Sequence, residues 1–200
     1  MSAARELLST RGYEATSPAD IQRAAGVGQG SFYHHFASKA DLASAALEQL
    51  ADDMCAELDR TTAGTHGSAT SPLAAVTAYL EAPRDPLAGC RIGRLAMESS
   101  LVDERIRRPV GRYFDHVRHR LSALLDELGA SRVDLPDGVA GLADLFVATV
   151  QGAYVVARAT GDPAVMGAAT RTLAALVAGV ADTASGTTAA TSTRATTEEP

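Results

Sequence analysis

Apolar residues recur along this chain at spacings of three and four, the period of an α-helix, and nowhere alternate with period two for long. Ala4, Leu7 and Leu8 share one face of a first helix, and Gly12 suits its C-terminal stop. Ser17 then reads as an N-cap, with Pro18 at the first helical position and Asp20 three residues beyond the cap. Ile21, Ala24 and Ala25 give this second helix its apolar spacing, and Gly26 ends it. A third short helix is expected from about Gln29 to Phe36. Ser38 with Asp41 resembles a capping box and opens a long helix through about Asp59. Two short helices joined by the turn "GVG" make a helix-turn-helix.

The small polar residues 61–72 predict a loop. Helices are then expected over 72–82, 91–100, 103–129, 137–160 and 163–183, with Pro109 kinking or starting the third of these and Gly129 closing it. The last two are apolar on more than one face: Leu142, Leu145, Phe146, Val150, Tyr154 and Val155 on one, Leu173, Leu176, Val177 and Val180 on the other. Such helices are deeply buried or packed against another subunit. Residues 184–200, rich in Thr, Ala and Ser, are expected to be a disordered tail. The predicted fold is all-α.

Composition narrows the picture. Hydrophobic residues make up 46% of the 200 but aromatics only 4%, so Ala, Leu and Val must fill the core. A net charge of −6 excludes a uniformly basic nucleic-acid coat but permits a local cationic patch. Cys55 and Cys90 lie far apart with no C-x-x-C spacing, which indicates neither a disulfide framework nor a zinc site. The N-terminus has no apolar stretch of the signal-peptide kind. The longest mostly apolar run, 142–157, contains Asp144 and Gln151 and is expected to be too short to span a bilayer. A soluble cytoplasmic protein with no membrane partner is expected.

The stretch "AGVGQGSFYHHFASK" (25–39) carries three competing chemistries. Its glycines resemble part of a dinucleotide-binding loop, but that loop must follow a strand, and helix spacing precedes it here. His34 and His35 are adjacent and point about 100° apart on a helix, which does not suit one metal ion. His116 and His119 have a workable spacing, but their neighbours are Arg118 and Arg120 and no nearby Cys or Glu completes a site. No metal and no cofactor is expected.

Nucleic acid fits better. On a helix over 29–36, Phe32 and Phe36 face inward while Gln29, Ser31, Tyr33 and His34 lie around the outer side. Gly28 and Gly30 allow close approach of the helix N-terminus to a phosphate or base edge. Gln and Ser suit base edges, and Ser17, Tyr33 and Lys39 suit phosphate oxygens. Lys39, the only lysine, sits in a first helical turn, where a cation opposes the helix dipole. No G-x-S-x-G motif, Ser-His-Asp spacing, carboxylate pair or cofactor loop points to an enzyme.

The run "RGYEATSPADIQRAAGVGQGSFYHHFASKADL" resembles the DNA-binding signature of the TetR family of one-component bacterial regulators, over about residues 3–50. The segment "GCRIGRLAMESS" (89–100) and the residues after it resemble, less densely, the ligand-binding and dimerisation domain of a subgroup of that family. The resemblance implies a helix-turn-helix domain over 1–47, joined by a long fourth helix to a helical-bundle domain over 48–183. It implies DNA contacts from Ser17, Gln29, Gly30, Ser31, Tyr33, His34 and Lys39 to a double-stranded palindromic operator. It further implies a homodimer through the last two helices and a repressor released by a small-molecule effector. The middle helices would enclose its pocket, with Met97, Leu101, Tyr113, Phe114, Val117 and Leu121 facing Phe146, Val150, Gln151 and Tyr154.

Two other functions compete. Cys90 precedes a predicted helix and neighbours Arg91 and Arg94, both of which favour a thiolate, so a redox- or electrophile-sensing repressor is one. The second is a helical interaction protein without DNA binding. It draws on the four cations of residues 1–47 being matched by four acids. Relatives usually carry a further turn and a basic arm ahead of the first helix.

Overall fold

A computed structural model of the chain describes residues 1–28, 34–63 and 71–195, with side chains up to residue 186. Among the described residues there is no strand. The α-helices are α1 (Ser2–Arg11), α2 (Pro18–Ala25), α3 (Lys39–Ala63), α4 (Pro72–Glu81), α5 (Glu104–Glu127), α6 (Gly138–Thr160) and α7 (Ala164–Ala195). Short 3-10 turns occupy Gly93–Met97, Ser99–Val102 and Ala130–Arg132.

Local chemistry explains the N-terminal helices. At α2 the Ser17 hydroxyl oxygen accepts the Asp20 N–H at 3.1 Å, and the Asp20 carboxylate accepts the Ser17 N–H at 3.0 Å. This is a capping box that uses Asp where Glu is commoner. Gly26 ends the helix at φ +67°, its N–H donating to Arg23 O while the Val27 N–H donates to Gln22 O. α3 begins the same way, with the Asp41 N–H donating to Ser38 Oγ at 3.1 Å.

The chain forms two compact units. The first combines residues 1–57 with 85–116, and the second combines 58–84 with 117–200, so compactness adds 85–116 to the N-terminal helices. In the first unit Ala4, Leu8, Ile21, Leu42, Ala43 and Leu47 are buried, as are Ile92, Leu95, Ile106 and Val110. In the second, α6 packs along α7 and α4 against α7. Val76, Leu80, Leu121, Leu125, Phe146 and Val177 supply the largest buried side chains there.

Three elements differ from expectation. The helix expected over 91–100 is instead a pair of 3-10 turns broken at Glu98, whose backbone is extended (φ −95°, ψ 147°). Its carboxylate is turned toward the backbone of residues 13 and 14, which an uninterrupted helix would not allow. The last helix, expected to stop near 183 ahead of a disordered tail, continues to Ala195. The Thr183 and Ser185 hydroxyls donate to the i−4 carbonyls of Gly179 and Ala181. The run 142–157, expected to be too short to span a bilayer, belongs to the 23-residue α6. By length and hydropathy both α6 and residues Ala164–Gly186 are long and apolar enough to cross a membrane, and only 22% of each apolar window is buried in the chain. Among their exposed apolar side chains, Leu176 is 60% and Val155 53% accessible.

Candidate nucleic-acid interface

Of the residues expected to contact DNA, Gln29, Gly30, Ser31 and Tyr33 lie outside the described residues, as does most of the third short helix. Ser17, His34 and Lys39 are described, and all belong to the first unit.

Ser17 is exposed at the start of α2, with its hydroxyl engaged by Asp20. That hydroxyl, followed by the Ser17 N–H, holds the Asp20 carboxyl below its ordinary pKa. His34 and His35 are exposed and helical, with ring centroids 5.1 Å apart at 71°. The two imidazoles stand edge to face, as expected of rings that point different ways.

Lys39 has a protein partner that its sequence position did not reveal. Its ammonium lies 4.0 Å from the centroid of the Tyr13 ring, within cation–π range. Burial lowers its pKa, against the opposing pull of the Glu98 and Glu14 carboxylates. Tyr13 itself is pushed up, first by burial and then by Asp103 and Asp41.

The turn that carries Tyr13 is built by contacts from far along the chain. Gly12 sits at φ +88°, and a Cβ there would fall 1.8 Å from Glu98 Oε1, so only glycine fits. The Glu98 carboxylate accepts the N–H groups of Tyr13 and Glu14 at 3.0 Å each. In return Glu14 accepts the Ser99 hydroxyl at 2.6 Å and the Ser100 N–H at 2.9 Å. These bonds, Ser99 first, hold the Glu14 carboxyl below its ordinary pKa. Thr16, fully buried, donates its hydroxyl to Gly12 O at 2.6 Å and closes the turn.

The start of α3 is held similarly. Arg105 binds Asp103 with two nitrogens, at 3.0 and 2.7 Å, and reaches Asp41 at 3.1 Å. One and two turns further along α5, Arg108 pairs with Glu48 at 3.2 Å, and Arg112 with Glu48 at 2.8 Å and Asp52 at 2.6 Å. Of the cations within 1–47, Arg5 pairs with Asp53 and Arg23 with Asp20, while Arg11 is exposed. Tyr13, Glu14, Glu98 and Arg105 were not singled out from sequence as site residues. Only the Gly12-Tyr13 dipeptide carried a local signal, because the other partners are more than 60 residues away.

The residues expected to line an effector pocket fall in both units. Met97 is 78% exposed at the end of a 3-10 turn, not on the inner face of the expected helix. Leu101, Tyr113 and Phe114 are half-buried in the first unit, the two rings edge to face at 5.3 Å. Val117, Leu121, Phe146 and Val150 belong to the buried core of the second unit, with Gln151 and Tyr154 half-buried there. Cys90 is buried, and its sulfur accepts the Gly93 N–H at 3.3 Å. The arginines expected to polarise it have other partners: Arg91 pairs with Glu57 at 2.6 Å, and Arg94 donates to the carbonyls of Thr10 and Ala88.

Together these features define an all-helical regulator type, in which an N-terminal helix-turn-helix is followed by a helical C-terminal domain. Residues 1–46 match the family model of bacterial regulatory proteins of the tetR family. Residues 72–172 match that of the C-terminal domain of LmrA/YxaF-like transcriptional regulators. The HTH-type transcriptional repressor DhaR of Mycobacterium sp. (strain GP1) is 32% identical over 151 residues, 72% of this chain and 73% of that protein. A TetR-family regulator from Agrobacterium tumefaciens is similar in structure, with a TM-score of 0.68 and 31% identity over 86% of this chain and 92% of the other. The regulatory protein TetR from Rhodobacter sphaeroides gives a TM-score of 0.73 at 26% identity, over 86% and 94%. The chain belongs to the TetR family of transcriptional regulators.

Proposed function

We propose that the chain is a homodimeric repressor that binds a palindromic operator and is released from it by a small molecule held in the C-terminal domain. The observation that carries this reading is Lys39: the only lysine stands at the N-terminus of α3, steadied over Tyr13. A cation opposes the helix dipole there, and a phosphate group restores the balance. Ser17 and Tyr33 join it on the backbone, and Gln29, Ser31 and His34 face base edges with Gly30 giving room. The likeness to a repressor, DhaR, supports repression rather than activation.

The exposed apolar faces of α6 and α7 support dimerisation through these helices. Two-fold symmetry would then place two recognition helices in successive major grooves, about 34–36 Å apart. Effector binding would favour a dimer with the wrong spacing, weakening operator binding by a coupling energy of about 1–3 kcal/mol. A gel shift with the DNA upstream of its own gene tests the reading. Binding that is lost in the double substitution Tyr33→Ala, Lys39→Ala supports it, and no binding by the full chain even at low salt refutes it.

A further inference from the structure

We infer that Glu98 is a positioning residue for operator binding: through the turn 12–14 it holds the Tyr13 ring on which Lys39 rests. The inference rests on the proposed role of Lys39 at a phosphate and adds a residue far outside the helix-turn-helix to that site.

The contacts form one unbroken path. Glu98 takes the N–H groups of both Tyr13 and Glu14, and so fixes the backbone from which the Tyr13 side chain projects. Glu14 reaches back to Ser99 and Ser100, so the two segments clasp each other through reciprocal carboxylates. Ser100 also donates its hydroxyl to Glu98 at 3.2 Å. Gly12 leaves no room for any side chain beside the clasp, so the close approach is built in. The Tyr13 ring then faces the Lys39 ammonium at 4.0 Å. A free lysine side chain loses rotamer entropy when it is fixed. A ring that already holds it near the helix N-terminus removes part of that penalty before DNA arrives.

Charge and position make opposite predictions for Glu98. Its carboxylate is a negative group near the lysine, so deleting the charge should tighten binding to a polyanion if electrostatics alone matter. If Glu98 positions Lys39, the same deletion weakens binding. The Glu98→Gln side chain keeps one acceptor oxygen but turns an NH2 group toward backbone N–H donors, so the clasp opens.

The experiment measures affinity for the tightest duplex that the full chain selects from a random-sequence library, across a range of salt concentrations. Glu98→Gln is expected to weaken binding about tenfold at physiological salt, the loss of one charge-assisted contact. It should also lower the slope of log K against log salt by about one for each subunit bound, as Lys39→Ala does. The pair Glu98→Gln, Lys39→Ala should bind no more weakly than Lys39→Ala alone. Tighter or unchanged binding by Glu98→Gln overturns the inference, as does a lowered melting temperature with wild-type affinity and slope. Should Glu98→Gln fail to fold, Glu14→Gln opens the clasp from its exposed side and carries the same test with the same signs. If the wild-type chain selects no duplex, the operator-binding reading falls and this inference with it.

Discussion

Replacing Ser17 by Ala and by Gly separates the helix-capping role of its hydroxyl from its proposed phosphate contact. In the folded chain that hydroxyl accepts the Asp20 N–H at 3.1 Å and donates to the Asp20 carboxylate at 2.5 Å. Ser17→Ala leaves the Asp20 N–H without its side-chain acceptor, a change that typically destabilises by about 1 kcal/mol. α2 has only eight residues and is too short to stand by itself, so the loss is felt by the packed unit. For a chain of this length the melting temperature should fall by about 2–4 °C, followed by circular dichroism. Ser17→Gly lets water reach the same N–H and should lower stability by only a few tenths of a kcal/mol. Neither variant has a hydroxyl to offer a phosphate. Both should therefore bind a selected duplex about tenfold more weakly, the value of one hydrogen bond to a charged group. Wild-type affinity in Ser17→Gly would remove Ser17 from the DNA contacts. An unchanged melting temperature in Ser17→Ala would show that the capping box does not support the unit.

Acid should unfold the first unit before the second. Glu14, Asp20, Asp41 and Asp103 all have carboxyls held below their ordinary values by hydrogen bonds made only in the folded chain. Their contribution is present above the unfolded values near 4 and is lost as pH falls through the lower folded ones. Melting curves between pH 7 and pH 2 should be flat at the upper end and fall steeply below about pH 4. A melting temperature constant down to pH 2 contradicts this account. Leu176→Glu, at a site 60% exposed on α7, should give a monomer in sedimentation velocity with unchanged helix content. A dimer that survives this substitution places the interface elsewhere.

What was legible in the sequence is what neighbouring residues decide. Ser17-Pro18 with Asp20, Gly26, and Ser38 with Asp41 are cap signals complete within four residues, and the helices begin and end where they say. The burial of Leu8, Leu47, Phe146 and Val177 follows from helical spacing alone. Residues 91–100 have helical composition as well, yet the backbone breaks at Glu98, whose carboxylate accepts the N–H groups of residues 13 and 14. Nothing within several residues of Glu98 signals this. Lys39 stands out in the sequence as unusual, but its ring partner lies 26 positions away, at a distance that periodicity does not encode. The added length of α7 was not legible either, because Thr- and Ser-rich composition reads as disorder while the helix runs on to Ala195.

The even balance of charge in residues 1–47 looks unfavourable for a DNA-binding element until three of the four acids are traced to their partners. Asp20 and Asp41 occupy the third position of α2 and α3, where they complete the caps and complement the helix dipoles. Glu14 belongs to the clasp with Ser99 and Ser100. Asp20 and Asp41 follow from starting helices with Ser-x-x-Asp punctuation, and all three acids are engaged in the fold. The cation that offsets Asp41 comes from Arg105, outside residues 1–47. On the proposed reading, a small number of held groups, Lys39 among them, is left to meet DNA rather than a broad basic field. Affinity in such an arrangement depends more on where each group is placed than on net charge. The dependence of binding on salt should accordingly be shallow, with a slope set by a handful of phosphates per subunit. The segment 93–102 fixes the turn whose Tyr13 ring the Lys39 ammonium faces, and so on the proposed reading it gains a role that charge counting would not assign to it.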